Sequence, residues 1–98
     1  MRLVLSRLAA AELDEILGYI RERSPLGARS VEARVRHAFD HISRHPEAAE
    51  RVEQRPTVRR LPLARYPYVI YYEVGAGAVT VLRILHGARR RPRDEPGG

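Results

Sequence analysis

Tyr68-Val69-Ile70-Tyr71-Tyr72-Glu73-Val74, then Gly75-Ala76-Gly77, then Ala78-Val79-Thr80-Val81-Leu82-Arg83-Ile84-Leu85-His86 is the stretch that decides the fold. Two runs rich in β-branched and aromatic residues flank a glycine turn, which predicts an antiparallel hairpin. Gly87 ends the second run. A three-residue turn places Val74 opposite Ala78, Tyr72 opposite Thr80 and Ile70 opposite Leu82. Side chains alternate between faces, and neither Glu73 nor Arg83 should enter a core unpaired. On this register Tyr68, Ile70, Tyr72, Leu82 and Ile84 face the core. Val69, Tyr71, Glu73, Val79, Val81, Arg83 and Leu85 share the opposite face. That second face is too apolar for open water, and the reading is that another chain covers it.

Upstream, Val58 to Leu63 reads as a further strand, with Pro62 marking an edge or bend. The polar segment from Glu47 to Thr57 reads as a loop. Before it lie two amphipathic helices. Ala9, Leu13, Ile16, Leu17 and Ile20 form the apolar stripe of the first, with Ser6 as its N-cap. Ser24-Pro25-Leu26-Gly27 breaks the pattern, and Ala28, Val31, Val35, Ala38, Phe39 and Ile42 form the stripe of the second, which Pro46 stops. Leu3-Val4-Leu5 is a short first strand. The expected fold class is α+β: a helical hairpin packed on one face of a small antiparallel sheet, in the order β-α-α-β-β-β.

The chain has 98 residues, 44% hydrophobic and 31% charged. That is enough for one modest core and excludes a doubly wound nucleotide-binding domain or a barrel enzyme. Residues 1–88 read as a single domain. Residues 89–98, with Arg89-Arg90-Arg91 and Arg93 among Pro and Gly, read as a flexible basic tail. Cys is absent, which excludes disulfides and thiolate chemistry and fits a cytoplasmic protein. No apolar run is long enough to span a bilayer, and Ser6-Arg7 interrupts the apolar start too early for an export signal. The net charge is +6, and all 18 basic residues are arginine. Lysine general bases and Schiff bases are therefore excluded. Arginine clamps phosphate or carboxylate but is a poor proton shuttle.

Ser6-x-x-Ala9 with Leu13-x-x-Ile16-x-x-Tyr19-Ile20, and Ile42-x-x-His45-Pro46, resemble the helices of the ParE/RelE superfamily of toxins from bacterial type II toxin–antitoxin systems. So do Arg59-Arg60-Leu61-Pro62-Leu63, Tyr66-Pro67-Tyr68-Val69-Ile70-Tyr71-Tyr72 and Val81-Leu82-Arg83-Ile84-Leu85-His86-Gly87-Ala88-Arg89. The resemblance runs in order along the chain to about Arg91. It implies a cytoplasmic bacterial toxin, often plasmid-stabilising, held inactive by a cognate antitoxin whose acidic C-terminal segment wraps the helical hairpin and sheet. Combined with the apolar second face, it assigns Val69, Tyr71, Val79, Val81 and Leu85 to antitoxin binding, with Tyr71 as an aromatic anchor.

The superfamily has two activities. ParE-like members inhibit DNA gyrase. RelE-like members cut mRNA on the ribosome, which needs a base, an acid and cations for the phosphate. The Ile84-Leu85-His86-Gly87-Ala88-Arg89 ending resembles ParE, so the expectation is a gyrase inhibitor with no catalytic residues and no cofactor. Arg59, Arg60, Arg65, Arg83 and Arg89 are its candidate target contacts. The alternative is a ribosome-dependent endoribonuclease using Arg65, Arg83 and His86; a third reading is a non-toxic basic binding module. His37, His41 and His45 recur every four residues without the acidic partner of a zinc motif, and read as a solvated helix face rather than a metal site.

Overall fold

The computed structural model describes residues 1–87. The tail from Arg89 to Gly98 and the candidate contact Arg89 lie outside the described residues. In chain order the elements are β1 (Arg2–Leu5), α1 (Arg7–Arg23), α2 (Pro25–Arg44), β2 (Glu50–Val52), β3 (Arg55–Pro62), β4 (Tyr68–Val74) and β5 (Ala78–His86).

Ser6 caps α1 as expected: its hydroxyl accepts the Ala9 N–H at 3.0 Å. The helical break is a single residue, Ser24. Its N–H bonds back to the Ile20 carbonyl at 2.7 Å, and its hydroxyl accepts the Gly27 N–H at 2.9 Å. The Ser24-Pro25-Leu26-Gly27 stretch therefore ends one helix and starts the next at once, because proline is well suited to the first helical position.

The sheet has five strands in the order β1-β5-β4-β3-β2 and is mixed. β2, β3, β4 and β5 form an antiparallel meander, and β1 lies parallel to β5. The departure from a purely antiparallel sheet has a simple cause. The segment from Glu47 to Thr57, read as a loop, contains β2 and the start of β3. β2 runs against β1, and this extra reversal sets β3 and β5 running with β1.

The β4–β5 register also differs from the expected one. Val74 pairs with Val79 rather than Ala78, and the Gly75 N–H bonds the Ala78 carbonyl at 2.8 Å. Gly77 has φ +79°, a conformation glycine adopts without penalty. This one-residue slip exchanges the faces of the first half of β5. The register then shifts between Tyr71 and Tyr72, where Leu82 is the extra residue on β5, so that Ile70 pairs with Ile84 and Val69 with Leu85. The bulge restores the expected faces for the second half of the strand.

Val79 and Val81 consequently lie beneath the helices, both at 0% exposure, and not on the outer face where alternation from the turn had placed them. Leu82 moves the other way and packs against the outer cluster. The main core joins Ala9 and Leu17 of α1 and Val31, Val35, Ala38 and Ile42 of α2 to Ile70, Tyr72, Val79, Val81 and Ile84 of the sheet, with Leu63. Burying each large aliphatic member contributes about 1.5–3 kcal/mol. On the other face, Val52, Val58, Val69, Tyr71 and Leu85 form a second, smaller cluster.

The polar groups of this core are satisfied. The Tyr72 hydroxyl donates to the Pro46 carbonyl at 2.8 Å, tying the end of α2 to β4. Burial raises the Tyr72 pKa above its usual value, against the opposing effects of Arg59 and an Ala49 backbone hydrogen bond.

The bulge makes a stability prediction. Val81→Ala should cost about 2 kcal/mol in urea unfolding, because it empties space in the main core. Leu82→Ala, at a half-buried position, should cost less than about 1 kcal/mol. Equal costs, or the reverse order, would contradict the faces assigned here.

Candidate functional site

β1 covers β5 only as far as the Leu5–Val81 pair. Beyond it, the edge of β5 from Leu82 to His86 has no strand beside it among the described residues. The N-cap Ser6 and the Glu12 side chain of α1 take that place. The Ser6 N–H donates to the Val81 carbonyl at 2.9 Å, and the Ser6 hydroxyl to the Leu82 carbonyl at 2.9 Å. Glu12 Oε1 accepts the Ile84 N–H at 2.9 Å. Its Oε2 accepts Arg83 Nε at 3.0 Å and Nη2 at 2.6 Å. One carboxylate thus replaces a missing strand partner and neutralises a cation set in an apolar strand. Both side chains are largely buried, at 22% exposure for Arg83 and 15% for Glu12. Charge-assisted bonds of this kind are strong, and removing one partner would strand the other.

Next to this edge runs a groove of about 560 Å³, lined by Glu12, Glu15, Ile16 and Tyr19 of α1 and by Tyr68, Ile84, Leu85 and His86 of the sheet. Tyr68 and His86 pack edge to face, with ring centroids 5.6 Å apart. His86 Nδ1 is buried without a hydrogen-bond partner. Tyr19 is 57% exposed, and the Arg23 guanidinium sits 3.8 Å from its ring centroid. Leu8, one turn before Glu12 on the same helix, is also exposed. A strand edge flanked by an apolar helix face suits a peptide segment, which can find backbone partners and apolar contacts together.

The candidate arginines do not form one patch. Arg59 Nη1 donates to the Glu47 carbonyl at 3.0 Å and the Ala49 carbonyl at 2.7 Å, fastening the chain between α2 and β2. Arg60 meets Glu50 at 3.3 Å across the β2–β3 pair. Burial alone would lower the Arg60 pKa, but hydrogen bonds and charge from Tyr71 and Glu50 outweigh it and raise it. Arg83 is held by Glu12. Arg65 stands apart in the turn between β3 and β4, exposed, at φ +73°. A left-handed backbone costs a non-glycine residue about 1–2 kcal/mol.

The three residues that RNA cleavage would combine are divided. Arg83 is committed to an ion pair, His86 lines the β5 groove, and Arg65 lines a different cleft with α2. Of the five residues expected to meet an antitoxin, Val79 and Val81 are in the main core, a correction that follows from the register slip. Val69, Tyr71 and Leu85 belong to the outer cluster, but they are buried within the chain itself, so that face is not the open apolar surface the alternation suggested; Leu85 also lines the groove. His37, His41 and His45 are exposed along α2. Among the described residues no group of three or more His, Cys, Asp or Glu side chains could hold a metal ion, and no helix is long and apolar enough to cross a membrane.

Glu12 and Tyr19 were not recognisable as site residues from sequence. An arginine within an apolar strand does demand a carboxylate, but the chain offers twelve and their spacing does not say which one arrives.

Comparison with known proteins bears on what this arrangement serves. The family described as the ParE toxin of type II toxin–antitoxin system, parDE, matches residues 3–91. A protein of Caulobacter vibrioides named toxin RelE2 is 38% identical over 81 residues, covering 83% of this chain and 89% of that protein. A solved structure described as the chromosomal ParDE TA system from P. aeruginosa contains a chain that superposes with a TM-score of 0.76 at 27% identity. The superposition covers 88% of this chain and 95% of that one.

Replacing Glu12 tests its structural role. Glu12→Ala should lower the unfolding free energy by about 2–4 kcal/mol, since it strands the Arg83 guanidinium and the Ile84 N–H. Glu32→Ala, which removes an exposed helical pair with Arg36, should change it by less than about 0.5 kcal/mol. Comparable losses in urea titrations of the two variants would argue against the role given to Glu12.

Proposed function

This chain is a toxin of the ParE family of type II toxin–antitoxin systems, and we propose that it acts in the cytoplasm by binding and inhibiting DNA gyrase. The observation that carries the choice of target is the separation of Arg65, Arg83 and His86. General acid–base cleavage of RNA needs its proton-transfer group and its phosphate cations around one scissile bond. Here Arg83 already neutralises Glu12, and the other two residues line different clefts. The activity is therefore one of binding rather than of ribosome-dependent mRNA cleavage. Arg59, Arg60 and Arg83 serve mainly to hold the fold, and Arg65 is the candidate contact among the described residues left to meet a target.

An antitoxin is the chain's partner. Its binding segment lies along the free edge of β5, beside Leu8, Ile16 and Tyr19 of α1, with Leu85 at the floor of the groove and Val69 and Tyr71 buried behind it. A strand edge next to exposed aromatic and aliphatic side chains supports this placement. An acidic antitoxin segment also complements the net charge of +6 and would approach it quickly.

Two measurements test these readings. Expressed alone, the chain should arrest growth with a DNA-damage response, and the purified protein should block gyrase supercoiling while leaving mRNA in a translating extract intact. Cleavage of that mRNA, or translation arrest without DNA damage, would overturn the gyrase assignment. Tyr19→Asp with Leu8→Glu, both at exposed positions, should weaken antitoxin binding about tenfold or more and leave toxicity in place. Unchanged neutralisation by the co-expressed antitoxin would exclude the groove.

A further inference from the structure

We propose that the cleft between α2 and the β3–β4 turn binds the phosphate group of a nucleotide. The cleft is about 550 Å³ and is lined by Ser30, Ala33, Arg34, His37, Arg65 and Tyr66. The first four fall at i, i+3, i+4 and i+7 on α2 and so form one stripe of that helix. The turn brings Arg65 and Tyr66 to meet them.

The charges here are uncompensated. Elsewhere on α2, Arg36 pairs with Glu32 and Arg44 with Asp40, each one turn back along the helix. Arg34 has Ser30 at that position and Ala38 one turn ahead, so the helix offers it no acid. Neither Arg34 nor Arg65 forms an ion pair among the described residues, and no carboxylate lines the cleft. Two guanidinium groups at one opening repel each other, and an anion with several acceptor oxygens resolves that repulsion.

Arg65 is also held firmly in place. The Tyr66 N–H bonds the Leu63 carbonyl at 3.1 Å, and the Leu63 N–H bonds the Tyr68 carbonyl at 2.9 Å. These bonds fix the turn with Arg65 at φ +73°, a position that favours glycine. An exposed arginine at a strained position, without an ion pair among the described residues, is one whose side chain is available to a ligand. The Ser30 hydroxyl and His37 imidazole supply further donors. Tyr66 packs against the main core yet lines the cleft, offering a ring beside the cations for a base to stack on. The ring and the paired guanidiniums together favour a nucleotide over a simple carboxylate. The cleft shares no residue with the β5 groove, so this site is independent of the antitoxin reading; because Arg65 is also the candidate gyrase contact, nucleotide binding by the purified chain is read separately from gyrase inhibition.

The test is calorimetric or NMR titration of the full chain with adenosine monophosphate, inorganic phosphate and a glutamate-rich peptide. The nucleotide should bind more tightly than inorganic phosphate and should weaken as salt rises from about 50 to about 200 mM. Arg34→Ala and Arg65→Gly should each weaken it about tenfold or more, and Arg36→Ala should not. Arg65→Gly should melt at the same or a higher temperature, since glycine accepts the turn conformation, so its lost binding cannot be ascribed to unfolding. Absence of nucleotide binding would overturn the proposal. So would binding that survives Arg34→Ala and Arg65→Gly, inorganic phosphate binding as tightly as the nucleotide, or the acidic peptide binding more tightly than the nucleotide.

Discussion

One carboxylate fastens the helical layer to the sheet edge where β1 stops, beside the apolar core that joins the two layers. Glu12 leaves α1, takes the Ile84 N–H and both reachable nitrogens of Arg83, and so docks the helical layer on the edge of the sheet where β1 stops. Without it, an arginine and a backbone amide would sit partly buried and unpaired at the end of β5. The arrangement also leaves the rest of that edge open, because a side chain occupies far less of it than a strand would. The groove beside α1 exists because β1 is short and Glu12 is compact.

The same economy governs the basic residues. A chain with net charge +6 invites a reading in which its arginines form a single electropositive face. Instead, Arg59 binds carbonyls, Arg60 binds Glu50 and Tyr71, and Arg83 binds Glu12. Each spends its charge within the fold. On the proposed reading, this division suits a toxin that works by binding, because RNA cleavage would need its cations gathered around one phosphate. Arg34 and Arg65 differ in that they line one cleft together, and neither forms an ion pair among the described residues.

The sheet shows how small local events set what a surface presents. A turn one residue longer than the glycines suggest exchanges the faces of Ala78 to Val81, and the bulge at Leu82 exchanges them back. Two valines read as interface residues are instead among the most buried in the molecule. The extra hairpin formed by β2 likewise makes β5 parallel to β1. Neither event changes the fold class, yet each decides which residues a partner can touch.

Periodicity alone determined the α+β class, the two helical stripes, the Ser6 cap and the central hairpin, because apolar residues must be buried and helices and strands repeat at different intervals. The order of quoted motifs along the chain likewise pointed to the toxin family. The strand β2 was illegible, since Glu50-Arg51-Val52 carries almost no apolar signal and is ordered by pairing with β3. The register of β4 against β5, the meeting of Glu12 with Arg83, and the convergence of Arg34 with Arg65 belong to tertiary structure. Each joins residues of different elements, and sequence spacing fixes directions only within a helix or a strand, not between them.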